Sequence, residues 1–527
     1  MREPRPFCDL SILFGPEALN RASDFHVFSG LPTVRTAEAK KSDKVQSDPF
    51  VRSGGVRALA VCLFAVLLVT GAFLRFSNLG QESEMSSDEG ADWAAASAPT
   101  LAEVQRLGVA LNPGKLALYD MALHFWIQAF GESVTSMRAL SAALGLLDLL
   151  LLFAAVREMF GGWSAVPNAR APTNPNAVAL VGALIMALNV TMVKYSREIR
   201  MYPLVLALIL LQVWWFFRVV RQTHIEDYAN LALLTALALA ANFTAGLVFA
   251  AEGAWLLPSL LGLPRGSFVA QRRAWLIVAT LAGGCATFLL PLVYASARLV
   301  DLVKQGNYAF IQPTTMWGVV QILWDASGRL TFLLIVPLAV YGSQRGWRRA
   351  PYAVSFLLSW FCVPIILAIF VSYVLSPFLV ERYVLSSFLP LFVLAGLGIL
   401  ELRRPTTTFG ALALLATLEL VDVHYYDRSK SDYQWGVQWR EAVAAAAATG
   451  SSVGVEPPIA HHVVQYYLRN SSLPPQTYQN NFVGGRDADV LIVADQIPIC
   501  EPREAVMLFS EYSKTVARFN WVAVVRR

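Results

Sequence analysis

The chain has 527 residues, of which 56% are hydrophobic and 15% are charged, and its formal net charge is +5. This composition excludes an ordinary soluble protein and is typical of a polytopic α-helical membrane protein. The charge is too small for this length to support nucleic-acid binding, and an odd cysteine count, with Cys62, Cys285 and Cys362 inside apolar runs, argues against a disulfide framework.

The hydropathy pattern divides the chain into three parts. Residues 1–50 are predicted to be a disordered cytoplasmic tail, residues 51–421 a transmembrane domain, and residues 422–527 an extracytoplasmic α/β domain. A bilayer-spanning helix needs about 20 apolar residues. By that measure we predict eleven spans, at residues 58–76, 139–156, 177–193, 199–217, 229–242, 244–262, 275–296, 330–342, 353–375, 384–401 and 406–421.

The first outer loop, residues 77–138, separates the first two predicted spans. Near its start lie the adjacent acidic residues Asp88 and Glu89. Residues 116–130 are apolar on one side but too short and too polar to span, which predicts an interfacial helix lying on the membrane.

Alternate loops between the spans are rich in arginine, and cytoplasmic loops carry an excess of basic residues. This rule places Asp88 and residues 422–527 outside, and it favours two short spans in 229–262 that turn near Asn242. The basic inner loops contain Arg52 and Arg57; Arg157 and Arg170; Arg218 and Arg221; Arg265, Arg272 and Arg273; Arg345, Arg348 and Arg349; and Arg403 and Arg404.

The outer turn KYSREIR breaks this pattern because it carries Lys194, Arg197 and Arg200. An anionic ligand at that face is the simplest reason for basic charge there. The alternative is a local salt-bridge cluster around Glu198 with lipid headgroups nearby.

The last hundred residues alternate between helical and strand-like segments. The pattern predicts a small α/β domain with helices at 435–448 and 459–468 and strands at 453–455, 489–494 and 521–525. It contains neither a GxGxxG motif nor a P-loop, so nucleotide binding is unsupported.

Three motifs with reactive side chains fall on the predicted outer face: Asp88–Glu89, KYSREIRMY (194–202) and VERY (380–383). A guanidinium binds phosphate bidentately, and a carboxylate can accept the proton of an attacking hydroxyl. Sugar transfer from an isoprenoid phosphate needs both functions.

These motifs resemble those of the GT-C membrane glycosyltransferases, in the bacterial branch similar to protein O-mannosyltransferases and aminoarabinose transferases. The resemblance runs from about residue 58 to the C-terminus. Its matching stretches, in order, are RFSNLGQESEMSSDEG, LALYDMALHFWIQAFGESVTSMRALSAALG, YSREIRMYPL, SPFLVERYVLSSFLPLFVLAGLGI and GVQWREAVAAA. One departure is NPGKLALYD, where relatives often have a His-Pro-Pro-like turn before the tyrosine.

The resemblance implies a role for each matching residue. Asp88 is expected to be the general base, and Glu89 to orient the acceptor or support Asp88. Arg197, Arg200 and Tyr202 are expected near the donor phosphate, and Arg382 with Tyr383 is expected to bind it directly. Lys194, from the same basic outer turn, is predicted to join this phosphate site.

The sequence therefore predicts an inverting glycosyltransferase of the cytoplasmic (inner) membrane. Its expected partners are a polyprenyl-phosphate-sugar donor and a glycan, lipid or protein acceptor, with no cofactor, no metal site and no nucleic acid. A transporter or flippase for a lipid-linked sugar and a non-catalytic membrane scaffold remain as alternatives. The pattern assigns no role to Asp148 or Glu252 within the spans, and His124 reads as structural more readily than as a second base.

Overall fold

The structure is a computed structural model that describes residues 53–77, 79–80, 84–161, 174–263, 267–287, 315–374, 378–402, 404–432, 438–456, 460–469, 489–494, 514–519 and 522–526. The predicted disordered tail, residues 1–50, lies outside these residues. The chain divides into two units, Met1–Val66 and Leu67–Arg527. Every contact discussed below lies within the second unit.

Helices dominate the described part of the chain, and a small sheet lies near its C-terminus. The strands are β1 Val453–Glu456, β2 Val490–Ala494, β3 Lys514–Phe519 and β4 Val522–Arg526. The helices are α1 Ser53–Phe76, α2 Ser87–Ala96, α3 Leu101–Leu111, α4 Leu118–Phe130, α5 Val134–Gly161, α6 Pro175–Leu188, α7 Val190–Ser196, α8 Tyr202–Arg221, α9 Ile225–Ala241, α10 Gly246–Leu260, α11 Gln271–Thr287, α12 Met316–Ala326, α13 Phe332–Trp347, α14 Pro351–Val374, α15 Phe388–Leu400, α16 Pro405–Asp432, α17 Trp439–Ala447 and α18 His461–Arg469.

Five helical stretches in the described residues are long and apolar enough to cross a bilayer: α5, α8, α14, Phe243–Leu260 and Pro405–Asp427. Two bent pairs, α6 with α7 and α12 with α13, also qualify if each pair counts as one span. These helices confirm the predicted polytopic α-helical fold class. The number of eleven spans stays a prediction, since part of the 275–296 span lies outside the described residues.

Two asparagines interrupt the helices of the membrane domain. The predicted span 177–193 bends by 66° at Asn189, because the Asn189 side chain accepts a hydrogen bond from the Met192 N–H and caps α7. Asn242 caps the 3₁₀ turn before α10 in the same way, through the Thr244 N–H. The turn predicted near Asn242 is thereby confirmed, whereas the bend at Asn189 was not predicted.

Close packing in the domain depends on glycine and on aromatic rings. A Cβ on Gly342 of α13 would lie 2.1 Å from the Leu394 carbonyl oxygen, and one on Gly398 of α15 would lie 2.0 Å from the Leu338 carbonyl oxygen. Only glycines let these two backbones touch, as small residues do at many membrane-helix interfaces. The rings of Phe217 and Phe356 join α8 to α14 at a centroid distance of 4.8 Å.

Two polar groups buried among the helices have partners within the chain. Gln212 donates a hydrogen bond to the Glu252 carboxyl group at 2.9 Å, so Glu252 is tied to α8. Arg75 donates to the carbonyl oxygens of Met186 and Ala187 and thereby joins the end of α1 to α6. Asp148 is buried on α5, and no function is assigned to it.

The first outer loop is helical over most of its length. Helix α4 confirms the helix predicted at 116–130, while its place at the membrane surface stays a prediction. Helices α2 and α3 were not predicted. Helix α2 carries Asp88 and Glu89 in its first turn and contributes directly to the site described below.

The C-terminal segment forms a four-stranded sheet in the order β1-β2-β4-β3. Strands β1 and β2 are parallel, and β4 lies antiparallel to both β2 and β3. Trp439, Ala442, Val443 and Ala446 form the buried face of α17. The α/β character, three strands and both helices agree with the sequence prediction, but β3 was missed.

The sidedness of this domain is testable by cysteine labelling. Ala448 at the end of α17 and Gln344 beside the basic loop after α13 are both exposed. In a cysteine-free background we expect a membrane-impermeant maleimide to label Ala448→Cys in intact cells, and to label Gln344→Cys only after the membrane is opened. The opposite pattern would reverse the face assigned to Asp88.

Candidate active site

Helix α2 places Asp88 at its N-terminal end through a capping box. Ser86 is the N-cap: its hydroxyl accepts a hydrogen bond from the Glu89 N–H at 3.3 Å, and the Glu89 carboxylate accepts one from the Ser86 N–H at 2.8 Å. This reciprocal pair fixes where the helix begins. Asp88 lies between the two, and its carboxylate benefits from the positive end of the helix dipole.

The Asp88 carboxylate faces two arginines from distant parts of the chain. Its Oδ2 lies 3.1 Å from Nη1 of Arg382 and 3.6 Å from Nη2 of Arg200. Arg200 lowers the pKa of Asp88 more than any other group, and Arg382 adds to this effect against the opposing effect of burial. The side chain is still 39% exposed, so an ionised carboxylate is open to an incoming molecule.

Arg200 joins this carboxylate to a second one. Its Nη1 donates to the Asp88 carbonyl oxygen at 3.2 Å and to Oδ2 of Asp92 at 3.0 Å. Its Nη2 lies 3.5 Å from the Tyr202 hydroxyl, and the guanidinium lies over the Tyr202 ring at 5.6 Å. Arg200 is therefore held in place from both sides while it faces Asp88.

Lys115 and Asp92 belong to this network, and sequence reasoning missed both. The buried Lys115 ammonium lies 2.5 Å from Asp92 Oδ1 and 2.9 Å from Asp120 Oδ1. Burial alone would lower the pKa of Lys115, but the two carboxylates outweigh it and raise the pKa. Burial raises the pKa of Asp120 to about 6, against the opposing effect of Lys115. The lysine of NPGKLALYD was the available sequence signal, because this stretch departs from the pattern of the glycosyltransferases that the sequence resembles.

Lys194 lies close to the residue that precedes Arg382. Its ammonium group lies 3.8 Å from the carboxylate of Glu381, which is next to Arg382 in the chain, and 4.8 Å from the centroid of the Tyr195 ring.

Tyr383 lies beside Arg382 itself. The Arg382 guanidinium lies 5.7 Å from the Tyr383 ring centroid. Tyr383 also contacts Phe378 and Phe243. Arg200, Tyr202, Arg382 and Tyr383 thus lie together around Asp88, whereas Lys194 pairs with Glu381 beside Arg382.

Arg197 points elsewhere, although it belongs to the same turn. Its guanidinium donates to the Leu74 carbonyl oxygen at 2.7 Å, to the Ser77 hydroxyl at 3.0 Å and to the Asp427 carboxylate at 2.8 Å. These bonds tie the end of α1 to α16. This geometry favours a structural role for Arg197 over the predicted contact with a donor phosphate.

Glu89 is fully buried, and its oxygens accept hydrogen bonds from several sides. Oε1 accepts from Arg138 Nε and from the Ile199 N–H, and Oε2 accepts from Arg138 Nη2, each at 2.9 Å. Burial would raise the pKa of Glu89, but Arg138 and these hydrogen bonds lower it. Of the two roles expected for Glu89, support of Asp88 fits this geometry better than contact with an acceptor.

His124 on α4 lies against the C-terminal end of α2, and both nitrogens of its ring have partners. Nδ1 lies 2.8 Å from the Ala96 carbonyl oxygen, which can only accept, and Nε2 lies 2.7 Å from the amide nitrogen of Gln128. Among the described residues no group of three or more His, Cys, Asp and Glu side chains is arranged to hold a metal ion.

No protein-family model and no curated protein match the sequence. Solved structures do. The chain is similar to ArnT from Cupriavidus metallidurans bound to undecaprenyl phosphate, with a TM-score of 0.57 at 12% identity over 90% of this chain and 98% of that one. The same protein in the apo state gives a TM-score of 0.51 at 14% identity, over 89% and 98%.

The chain has the ArnT fold. This finding confirms the predicted fold class, a polytopic α-helical membrane protein with a small C-terminal sheet. At 12% identity the likeness shows the fold alone, so the roles of individual residues rest on the contacts described above.

Proposed function

We propose that this protein is a membrane glycosyltransferase that moves a sugar from a polyprenyl-phosphate donor to an acceptor hydroxyl at the extracytoplasmic face of the cytoplasmic membrane. The observation that carries the proposal is the partly exposed Asp88 carboxylate, paired with Arg382 at 3.1 Å and beside Arg200 at 3.6 Å. The chain also shares its fold with ArnT, which has been solved with bound undecaprenyl phosphate.

The reaction is a single displacement. The acceptor oxygen attacks the anomeric carbon from the face opposite the phosphate, a new C–O bond forms, and the bond from carbon to the phosphate oxygen breaks with its electron pair on that oxygen. Asp88 takes the hydroxyl proton. Arg382, together with Arg200, neutralises the charge that develops on the leaving phosphate. One displacement inverts the anomeric centre.

Donor binding is coupled to the strength of the base. A carboxylate whose pKa is lowered by two arginines is a weak base while the site is empty. A phosphate that binds Arg382 competes for the guanidinium now paired with Asp88. The opposite charge beside Asp88 is then partly neutralised, its pKa rises, and the base becomes stronger when the leaving group is in place.

The test at Arg382 is its replacement by lysine. Lysine keeps the charge but lacks the planar fork that holds phosphate with two parallel hydrogen bonds. We expect Arg382→Lys to accumulate normally and to lose roughly 1.5–3 kcal/mol of affinity for polyprenyl phosphate, the size of a hydrogen bond to a charged group. The measurement is titration of the purified protein with polyprenyl phosphate, with and without the sugar.

Arg197→Lys is the matched control, because Arg197 comes from the same predicted set but bonds to Asp427 and the end of α1. We expect its donor affinity to stay near that of the wild type. Unchanged affinity in Arg382→Lys would mean that Arg382 only reaches toward lipid headgroups, as arginines at span ends often do.

A flippase for a lipid-linked sugar is the second candidate, and one observation favours it. Broken helices are typical of transporters, and the part of the chain that the structure describes contains two bent pairs, at 66° and 102°. The helix breaks at Asn189 and Gly328 lie together beside Glu419 and not at Asp88.

An assay in proteoliposomes with labelled donor separates the two functions. A transferase forms glycosylated acceptor and polyprenyl phosphate, whereas a flippase moves the donor unchanged. Mass spectrometry of lipids and glycans from a deletion strain would identify the sugar and the acceptor.

A further inference from the structure

Helix α18 of the C-terminal domain packs directly on the helix that carries Asp88. The contact is at Gly90, two residues after Asp88. A Cβ there would lie 2.8 Å from Val463 Cγ2 and 2.9 Å from the Val463 backbone nitrogen. Because one of these atoms belongs to the backbone, rotation of the valine side chain could not make room. The close approach therefore requires glycine at position 90.

Tyr467 holds the segment just before α2. Its hydroxyl oxygen accepts a hydrogen bond from the Met85 N–H at 3.0 Å, and Met85 precedes the N-cap Ser86. Both Met85 and Tyr467 are buried. A buried N–H without an acceptor destabilises the fold, so the bond constrains where the chain enters the helix.

Further contacts support the same arrangement at both ends of α2. Before the helix, the Glu84 carboxylate accepts a hydrogen bond from the Arg440 N–H of α17 at 2.8 Å. Along the helix, the Trp93 ring packs edge-on against Tyr466 at 5.1 Å, and the Arg469 guanidinium lies 5.9 Å from the Trp93 ring centroid. The C-terminal domain thus contacts α2 and its N-terminal entry along their length.

We propose that Tyr467 is a positioning residue for Asp88, acting through Met85 and the N-cap of α2, and that this gives the C-terminal domain a role in the reaction. The inference rests on the proposed function above. Asp88 meets Arg382 at 3.1 Å, and a misplacement of about 1 Å in a catalytic group can cost as much as a hundredfold in rate. A helix start that drifts by that distance weakens both the pairing with arginine and the approach to the acceptor.

Tyr467→Phe tests this by removing one oxygen atom. We expect kcat to fall roughly tenfold, with KM for the donor within about twofold of wild type, because the base is misplaced while the phosphate site is intact. Arginine lowers the pKa of Asp88, so weaker pairing raises it and moves the acidic limb of the kcat profile to higher pH. A role in folding alone would lower the amount of active protein without moving that limb.

Tyr466→Phe is the matched control on the same helix. Its hydroxyl donates to the Glu132 carbonyl oxygen at 3.1 Å, away from the start of α2, and its ring contact with Trp93 survives the change. We expect its kcat and pH profile to match the wild type. Equal losses in both tyrosine variants, or no loss in Tyr467→Phe, would overturn the proposal.

Hydrogen exchange gives a readout that does not depend on activity. The backbone amides of residues 85–90 should exchange faster in Tyr467→Phe than in Tyr466→Phe and the wild type. Absence of transfer by the wild type would count against the proposed function, while equal exchange in the two variants would count against the positioning contact. If Tyr467→Phe does not accumulate, Glu84→Ala is the second variant, because it removes the contact with the Arg440 N–H. We expect smaller changes of the same kind in kcat, pH profile and exchange of residues 85–90. Wild-type behaviour of Glu84→Ala would overturn the proposal.

Discussion

Replacing Asp88 by asparagine is expected to lower turnover at least about a hundredfold, the usual contribution of a general base. The amide has almost the same volume and keeps an oxygen that can accept from Arg382, so the site should keep its shape. The side chain is 39% exposed, and little folding energy depends on its charge. Binding of polyprenyl phosphate should be unchanged or tighter, because the carboxylate that competes for Arg382 is gone.

The control for this variant is Asp427→Asn. Asp427 is also a partly exposed carboxylate paired with an arginine, at 2.8 Å from Arg197, but it lies at the end of α16 and not at the Asp88 site. We expect near-normal turnover there. Initial rates of sugar transfer in proteoliposomes, normalised to folded protein, compare the two variants. Near-normal sugar transfer by Asp88→Asn would contradict the assignment of Asp88 as the general base. Absence of transfer by the wild type as well would favour the flippase.

The convergence of Asp88 and Arg382, 294 residues apart in the chain, could be predicted from the sequence. Arginine-rich loops assigned the faces, and the motifs then fell on one of them. The start of α2 is also encoded in the local sequence, because Ser86 followed by Glu89 three residues later is the capping-box pattern.

The directions of individual side chains could not be predicted. Arg197 and Arg200 are three residues apart in one turn, yet one bonds to Asp427 and the other to Asp92. The backbone between α7 and α8 decides this, and that backbone depends on tertiary contacts. Strand β3 was missed for a related reason. Its sequence KTVARF does not alternate between polar and apolar residues, and it is recognised as a strand only by its pairing with β4.

The buried ion pairs could not be predicted from the sequence pattern either. Lys115 stands in a loop that reads as polar and exposed, but Asp92 and Asp120 enclose its ammonium group. Hydropathy assigns such a lysine to solvent, and only the packing of α2, α3 and α4 reveals its partners. Glu89 is a second example. Its position beside Asp88 in the sequence suggests a direct role in the reaction, whereas its contacts indicate that it supports Asp88.

Glu89→Gln is therefore expected to lower the stability of the protein more than the turnover of the protein that folds. Arg138 binds the Glu89 carboxylate through Nε and Nη2, both at 2.9 Å, and both side chains are almost completely buried. Removing one partner of such a pair leaves an uncompensated buried charge, which costs about 3–5 kcal/mol. We expect low accumulation and a clearly lower Tm in detergent, while the protein that does fold should turn over faster than Asp88→Asn.

Glu381→Gln is the comparison for Glu89→Gln, because Glu381 also pairs with a basic residue but at 3.8 Å and partly in solvent. Such pairs contribute about 0–1 kcal/mol, so its Tm should stay close to that of the wild type. Thermal unfolding of the three purified proteins decides the question. A Glu89→Gln protein as stable as the wild type but inactive would show that Glu89 takes part in the chemistry, since loss of the Arg138 pair would then not explain the defect.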